Sequence, residues 1–262
     1  MKIALYQVDA FTDVLFHGNP AAICMLDKWL DDNLMQKIAM ENNLSETAFV
    51  VKKNDQFQIR WFTPIAEVAL CGHATLAAAS IIFNEYEHKK NMIVFNSIHS
   101  GILRVRKEGE YLTLDFPVQK IKKAIPPDKL IEGIGKEPIE VYKGKTDYLL
   151  VYKNEKEVQT ISPDFTVLSK IRIRGVIVTA KGDHYDFVSR FFAPKIGVNE
   201  DPVTGSAHTI LIPYWGKKLN KNELEAKQLS TRQGILKCRT NKDRVYISGK
   251  AIMYLKGEIL NL

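Results

Sequence analysis

Two side chains in the first third of the chain have the types and positions to move protons. Glu46 comes just before the apolar run 48–51, which is typical of a β-strand. A carboxylate at the start of a strand is partly removed from water and suits general acid–base catalysis. His73 follows Gly72 where a helix is expected to begin. The helix dipole disfavours an imidazolium there, so His73 could relay a proton near neutral pH.

Two glycine-containing turns, one in each half of the chain, could bind an anion. Gly72 and Gly205 each stand where an apolar helix is expected to begin. Free backbone N–H groups and the positive end of the dipole suit a substrate carboxylate, so we expect a small anionic metabolite as the ligand. The simpler alternative is that these glycines only permit close packing at a turn. Asp201 precedes the second turn and is either a helix N-cap or a partner of His73.

Cys71 offers a different chemistry. A cysteine beside a glycine at a helix start can be an activated thiolate, and two-base amino-acid racemases need two such thiols. The residue 133 positions after Cys71 is Thr204, so the second thiol is missing. Cys24 and Cys238 match neither helix start and are expected to be structural. The pattern disfavours a two-cysteine racemase and leaves an enzyme with one thiol open.

An internal duplication accounts for the paired turns. Three segments recur in the same order, the first after 130 residues and the other two after 133. They are Arg60-Trp61-Phe62-Thr63-Pro64 with Arg190-Phe191-Phe192-Ala193-Pro194, Gly72-His73-Ala74 with Gly205-Ser206-Ala207, and Gly101-Ile102-Leu103-Arg104-Val105-Arg106 with Gly234-Ile235-Leu236-Lys237-Cys238-Arg239. Such an internal repeat indicates an ancestral duplication. The slip of three residues predicts an insertion near residues 197–201.

The elements that must position these residues follow from hydrophobic periodicity. Apolar segments follow both glycines, and a helix that is apolar on every side must be buried on every side. The predicted helices are 31–41, 74–83 and 209–215, and the predicted strands are 56–62, 103–106, 111–116, 186–192 and 244–248. Pro213 is expected to kink or end the last of these helices, and residues 120–128 are the expected linker.

The predicted fold is α+β, with two pseudo-symmetric halves that each wrap a β-barrel-like sheet around a central helix. The first half is expected at residues 1–119 and carries Glu46 and His73. The second is expected at residues 120–262 and carries Asp201 and Ser206, with the C-terminal strand free to return to the first half.

The composition excludes several classes of protein. The chain is 45% hydrophobic and 26% charged, which is ordinary for a globular protein, and its formal net charge is +7. The lysines are scattered, so no nucleic-acid partner is expected. No stretch approaches about 18 uninterrupted apolar residues, so no membrane partner is expected. Three cysteines without ligand spacing predict a cytoplasmic protein with no disulfide framework and no metal. No dinucleotide, phosphate-loop or nucleophile-elbow motif is present, so no cofactor is expected.

Short segments spread in order over nearly the whole chain resemble the phenazine-biosynthesis isomerase-like (PhzF) family, which is related to diaminopimelate epimerase and proline racemase. They are Gln7-Val8-Asp9-Ala10-Phe11, Phe16-His17-Gly18-Asn19-Pro20-Ala21-Ala22, Leu44-Ser45-Glu46-Thr47-Ala48-Phe49, Arg60-Trp61-Phe62-Thr63-Pro64, Cys71-Gly72-His73-Ala74-Thr75, Arg190-Phe191-Phe192-Ala193-Pro194 and Glu200-Asp201-Pro202-Val203-Thr204-Gly205-Ser206-Ala207-His208. The resemblance implies the diaminopimelate epimerase-like fold, a homodimer and a biosynthetic role.

The resemblance also implies an activity and a set of site residues. The activity is a proton shift within trans-2,3-dihydro-3-hydroxyanthranilate or another small cyclic acid, without metal or coenzyme. By position, Glu46 would remove and redeliver the proton, with His73 and Asp201 as the other catalytic residues. The substrate-binding residues would be Asn19, Ser45, Gly72, Gly205 and Ser206. Two alternatives stay open, an amino-acid epimerase that uses Cys71 and a non-catalytic protein that binds small acids.

Overall fold

The computed structural model describes residues 2–260, which form two compact units. The first unit contains the chain up to Asp115 and the segment from Ser248 onward, and the second unit is Phe116–Ile247. The sequence placed the boundary after residue 119, slightly later than the structure does. The segment expected as a linker lies within the second unit, where Lys122–Lys123 pairs with a neighbouring strand.

The first unit contains two helices, α1 (Asp32–Asn42) and α2 (Gly72–Glu85). Its strands are β1 (Ile3–Ala10), β2 (Asn19–Leu26), β3 (Glu46–Lys53), β4 (Gln56–Phe62), β5 (Glu67–Val68), β6 (Met92–Ser97), β7 (Gly101–Glu108), β8 (Tyr111–Pro117, which extends past the boundary) and β17 (Ala251–Ile259). The predicted helix 31–41 corresponds to α1, which Asp31 caps by accepting a hydrogen bond from the backbone N–H of Asn33.

The helix α2 is the core of the first unit. Every residue from His73 to Phe83 is buried, as the apolar composition of the segment predicted. The sheet around it runs β2 parallel to β3, β3 antiparallel to β4, β4 parallel to β6 and β6 antiparallel to β7. On the other side β2 pairs with β1, and β1 pairs with β17 from the far end of the chain.

The second unit repeats this plan. Its strands are β9 (Lys122–Lys123), β10 (Glu140–Lys143), β11 (Asp147–Val151), β12 (Gly175–Lys181), β13 (Phe187–Phe192), β14 (Glu223–Gln228), β15 (Gly234–Asn241) and β16 (Arg244–Gly249, which extends past the boundary). Its α-helices are α3 (Asp128–Ile134), α4 (Glu155–Gln159), α5 (Phe165–Leu168) and α6 (Gly205–Leu219), with a 3-10 turn at Pro194–Ile196.

The pairing of strands in the second unit follows the same succession as in the first. Strand β11 is parallel to β12, β12 antiparallel to β13, β13 parallel to β14 and β14 antiparallel to β15. The largely buried α6 takes the place of α2. The predicted pseudo-symmetric architecture, an α+β fold with a sheet around one helix in each half, is confirmed.

The two units also share an arginine–glutamate pair at equivalent positions. Arg60 donates through Nε and Nη2 to the two carboxylate oxygens of Glu67, at 2.8 and 2.7 Å. Arg190 donates in the same way to Glu200, at 2.7 and 2.9 Å. The arginines are 130 residues apart and the glutamates 133, so the extra residues lie between Arg190 and Glu200, where the chain makes the 3-10 turn.

Pro213 does not end its helix, which was one of the two predicted outcomes, since α6 continues to Leu219. Proline has no N–H to donate to the carbonyl four residues earlier, which is that of Thr209. The backbone N–H of Gln119 donates to this carbonyl instead, at 3.2 Å. A donor from outside the helix therefore satisfies the carbonyl that the proline leaves free.

None of the helices in residues 2–260 combines the length and the apolar character that crossing a bilayer requires.

Candidate active site

The first unit brings four polar side chains together at the start of α2. Glu46 is the first residue of β3 and Asn19 the first residue of the adjacent parallel strand β2. Cys71 is the N-cap residue of α2, and His73 lies in its first turn. Two strand starts and one helix start therefore meet, and each contributes a side chain to one cluster.

His73 is the centre of this cluster. Its Nε2 lies 3.2 Å from Glu46 Oε2, and its Nδ1 lies 3.1 Å from Asn19 Nδ2 and 3.5 Å from Cys71 Sγ. Asn19, Cys71 and His73 are all buried, and Glu46 keeps 18% of its side chain exposed. Glu46 and His73 thus form an acid–base pair in direct contact. Glu46 is the member of the pair that can still meet solvent or a ligand.

The structure corrects the expected behaviour of His73. The helix start was expected to disfavour the imidazolium form, but the pKa of His73 is raised well above its usual value. Burial alone would lower this pKa, and the neighbouring Cys71 sulfur and Glu46 carboxylate outweigh it. Because the Cys71 thiol keeps its proton at neutral pH, Glu46 is the group that retains the charge on His73.

Cys71 is a protonated thiol in this setting. Burial, followed by the nearby Glu46 charge, raises the pKa of Cys71 to about 11. An activated thiolate needs the opposite shift. Cys24 and Cys238 are also buried free cysteines, and burial raises the pKa of Cys24 to about 12. The contact between Cys71 and His73 could not be predicted from the sequence, because it depends on how the start of α2 is packed.

Two more of the residues expected to bind substrate border this cluster along the chain. Ser45 immediately precedes Glu46 and is half-buried, as is Gly72, the first residue of α2. Asn19, in contrast, is fully buried, and its amide lies against His73. Asn19 is therefore placed to orient His73, a role that sequence reasoning did not assign to it.

In the second unit, Asp201 belongs to a hydrogen-bonded network before α6. Thr204 donates from Oγ1 to Asp201 Oδ2 at 2.5 Å, and Gln228 donates to the Asp201 carbonyl at 2.7 Å. Thr204, not Asp201, is the N-cap residue of α6, so the simpler interpretation of Asp201 is wrong. Gln228 was not singled out from the sequence, since a lone polar residue in a strand carries no distinguishing pattern.

Gly205 and Ser206 begin α6, as predicted, with Gly205 buried and Ser206 half-buried. The helix start is braced in the same way in both units. Thr75 donates its hydroxyl to the carbonyl of Cys71 at 2.5 Å, and His208, 133 positions later, contacts the carbonyl of Thr204 through Nδ1 at 2.8 Å. The duplicated scaffold is shared, whereas the side chains that could do chemistry differ between the units.

The likeness to solved structures first defines the class of fold. A probable proline racemase from Agrobacterium radiobacter superimposes with a TM-score of 0.66 at 9% identity, over 99% of this chain and 93% of that one. At this identity the likeness concerns the fold alone. With the duplicated units described above, it establishes the predicted diaminopimelate epimerase-like fold.

Closer relatives then define the family. The family model described as phenazine biosynthesis-like protein matches residues 8–257. A Pseudomonas aeruginosa protein named as an uncharacterized isomerase is 49% identical over 259 residues, which are 99% of each chain. A crystal structure of a PhzF-family protein from Enterococcus faecalis is 48% identical, with a TM-score of 0.96 over the whole of both chains. The chain belongs to the phenazine biosynthesis-like (PhzF) family and is an isomerase of that family.

Proposed function

We propose that this isomerase shifts a proton within a small cyclic metabolite that bears a carboxylate, of the type of trans-2,3-dihydro-3-hydroxyanthranilate. The contact of 3.2 Å between Glu46 Oε2 and His73 Nε2 carries the proposal, because it holds a carboxylate beside a cation at a position that is only partly buried. The chain itself supplies groups for both proton transfers, so the proposed reaction needs no coenzyme.

Glu46 is the proposed acid–base residue. As a carboxylate it removes a proton from the substrate carbon, and the electron pair of the C–H bond is delocalised over the adjacent unsaturated system. As a carboxylic acid it returns the proton to a second carbon, which moves the double bond. Glu46 Oε2 is inaccessible to solvent and faces His73, so the proposed transfers run through Oε1.

His73 supports Glu46 by charge and by position. The His73 imidazolium lies with Nε2 3.2 Å from Glu46 Oε2, where its positive charge faces the carboxylate. The same contact fixes the plane of the carboxylate, and correct placement of a reacting group contributes to rate in addition to the roughly 10²–10⁴-fold that general acid–base catalysis supplies. Asn19 in turn holds Nδ1, so His73 is positioned from both sides.

The substrate-binding residues are proposed from the resemblance and from their places in the fold. Gly72 and Gly205 lie at helix starts, where backbone N–H groups and the helix dipole favour a carboxylate. Ser45 and Ser206 are half-buried hydroxyl residues beside Glu46 and Gly205. Asp201 is proposed, from the resemblance, to assist the proton transfer.

Replacement of Ser206 by alanine is expected to raise KM more than it lowers kcat, because Ser206 is proposed to bind the substrate and not to transfer the proton.

The decisive experiment follows solvent deuterium into candidate substrates by NMR in D₂O. The panel contains trans-2,3-dihydro-3-hydroxyanthranilate and several amino acids. The wild type is expected to label the cyclic acid or its isomer, and Glu46→Gln is expected to lose at least about 10²-fold in rate, since the amide cannot accept the proton. Glu41→Gln, the same change at an exposed residue of α1, serves as the matched control and is expected to keep the wild-type rate.

The epimerase alternative is tested in the same experiment. The contact of 3.5 Å between Cys71 Sγ and His73 Nδ1 favours it, since His73 in its neutral form could accept the thiol proton. The raised pKa of Cys71 and the threonine at position 204 count against it. Exchange at an amino-acid α-carbon that is lost in Cys71→Ser would replace the isomerase mechanism with the epimerase one. No exchange in any compound would favour a protein that only binds small acids.

We also propose that the enzyme acts as a homodimer in the cytoplasm and serves a biosynthetic pathway. The resemblance supports these assignments. The homodimer is also supported by the exposed apolar side chains of strand β17.

A further inference from the structure

The same cluster has the composition of a metal site. One carboxylate oxygen of Glu46, the sulfur of Cys71 and a ring nitrogen of His73 all lie within 4.8 Å of one another. His73 Nε2 is 3.2 Å from Glu46 Oε2 and 4.0 Å from Cys71 Sγ. Within residues 2–260 no second group of three such side chains meets this condition.

One of these separations already fits a tetrahedral zinc ion. Bonds of about 2.0–2.3 Å to oxygen, nitrogen and sulfur at tetrahedral angles place the ligand atoms roughly 3.2–3.7 Å apart. Glu46 Oε2 and His73 Nε2 have this spacing at 3.2 Å, whereas the Cys71 sulfur lies 4.0 Å from His73 Nε2 and within 4.8 Å of the Glu46 oxygen. Zinc binding therefore requires the Cys71 sulfur to move toward the other two ligand atoms.

The surroundings of the three side chains favour a bound cation. Glu46 Oε2 is inaccessible to solvent and accepts no well-aligned hydrogen bond, although His73 faces it. A carboxylate and a thiolate together carry two negative charges, which outweigh the partial positive charge of the helix start. Sulfur and imidazole ligands select zinc over magnesium or calcium, which prefer oxygen.

We propose that Glu46, Cys71 and His73 bind one Zn²⁺ with three protein ligands, leaving the fourth position to water or an anion, and that bound zinc inhibits the isomerase. Coordination at Oε2 draws charge from the Glu46 carboxylate and makes Oε1 a weaker acceptor for the substrate proton, and the zinc takes the place of the His73 proton that faces Glu46. The thiol proton of Cys71 and the Nε2 proton of the His73 imidazolium both pass to solvent on binding. The inhibition rests on the function proposed above, whereas the binding does not.

Binding is tested with the whole chain, free of any affinity tag, titrated with Co²⁺ as a spectroscopic substitute and then with Zn²⁺. The wild type is expected to bind one ion and to show a thiolate-to-cobalt charge-transfer band. Cys24→Ser, a change at a buried free cysteine outside the cluster, is the matched control and is expected to keep the band. Cys71→Ser is expected to lose the band and at least tenfold in zinc affinity, and Glu46→Gln to lose affinity without losing the band.

Circular dichroism and thermal melts establish that each variant is folded. A wild type without the band, or a band that survives in Cys71→Ser, would overturn the proposed site.

Inhibition is tested by measuring deuterium exchange for each protein with Zn²⁺ and with a chelator. The exchange rate with Zn²⁺ divided by the rate with the chelator is expected to be at most about one tenth in the wild type and near one in Cys71→Ser.

A zinc-loaded wild type that exchanges at full rate would overturn the proposed inhibition. A wild type with no exchange under any condition would count against the proposed function and leave the binding result standing.

Discussion

At the scale of single residues, His73 lies between two neighbours that favour different protonation states. An amide N–H at Nδ1 requires the neutral ring, whereas the Glu46 carboxylate at Nε2 favours the imidazolium. Asparagine can meet both demands, because turning its amide by 180° presents an oxygen to a protonated Nδ1. Asn19 is therefore suited to a histidine that changes its charge during a reaction.

Replacing Asn19 by aspartate should remove this flexibility. A second carboxylate beside the ring favours the imidazolium, so the pKa of His73 is expected to rise by a further unit or more. An NMR titration of the His73 ring measures this directly. Asn96→Asp adds the same charge at an exposed residue of β6 and is expected to leave His73 unchanged. Equal titrations for the two variants would contradict the positioning role of Asn19.

The second fully buried histidine titrates in the opposite direction. Burial lowers the pKa of His208 to about 4. As the pH falls below about 6.5, the unfolded chain takes up a proton at His208 while the folded chain does not. The free energy of unfolding of the second unit is therefore expected to fall by up to about 3 kcal/mol between pH 6.5 and pH 4.

Urea unfolding at several pH values tests this dependence with His208→Thr, which copies Thr75, the equivalent residue of the first unit. The variant is expected to be less stable at pH 7, because the smaller side chain leaves a cavity, but to have a shallower dependence on pH. The exposed His184 provides the control, and its replacement by threonine should leave the slope as in the wild type. Parallel slopes for wild type and His208→Thr would show that His208 does not carry the effect.

Sequence reasoning identified single residues better than their contacts. Glu46 and His73 were found from their types and their positions at element starts. The contact of Asn19 with His73 and the burial of Cys71 depend on three separate segments that meet only in the folded chain. The direction of the pKa shift of His73 was missed for the same reason, since the helix dipole could be read from the sequence and the distance to Glu46 could not.

At the scale of elements, the most informative departure from prediction is α6. Its interior proline is tolerated because the backbone N–H of Gln119 donates to the Thr209 carbonyl.

Gln119→Pro removes this donor and is expected to lower the free energy of unfolding by about 1–3 kcal/mol, whereas Gln119→Ala keeps the backbone N–H and should change it little. Thermal unfolding measures both. Adding Pro213→Ala restores a donor within the helix and is expected to recover part of the loss. No recovery in the double variant would show that the cost at residue 119 arises elsewhere.

Periodicity located α1, the two central helices and six of the strands, and it missed most of the other strands and the short helices. The run 56–62 is β4 in full, and the apolar segments after the two glycines are α2 and α6. The supposed linker 120–128 was misassigned because prolines and lysines are typical of exposed connections, whereas strand β9 is defined only by its pairing with β10. Short strands of this kind have too few residues for a pattern to show.

At the scale of the whole molecule, strand β17 is unusual in exposing both faces. Three consecutive residues, Met253, Tyr254 and Leu255, are 40%, 47% and 42% exposed, and the exposed Phe16 packs edge-on against Tyr254. A strand normally buries every second side chain. Exposed apolar side chains concentrated along one strand are typical of a contact between protein chains, which supports the proposed homodimer.

Sedimentation or light scattering tests the dimer. The wild type is expected at about 60 kDa, twice the chain mass of 29.8 kDa, and Leu255→Glu is expected at the mass of one chain, because an unpaired charge would be buried. Ile235→Glu places the same charge on an exposed apolar residue of β15 and should remain dimeric. A Leu255→Glu protein that stays at twice the chain mass would move the interface away from β17.

The pairing of β17 with β1 also sets an order of events during synthesis. All of the second unit lies between Phe116 and Ile247, so its residues have left the ribosome before those of β17. The first unit has to wait, because β1 pairs early with β2 but gains its second partner, β17, only when residues 251–259 emerge. The unit whose translation begins first is therefore completed only after the second unit has been translated, and the cluster around His73 acquires its finished scaffold only then.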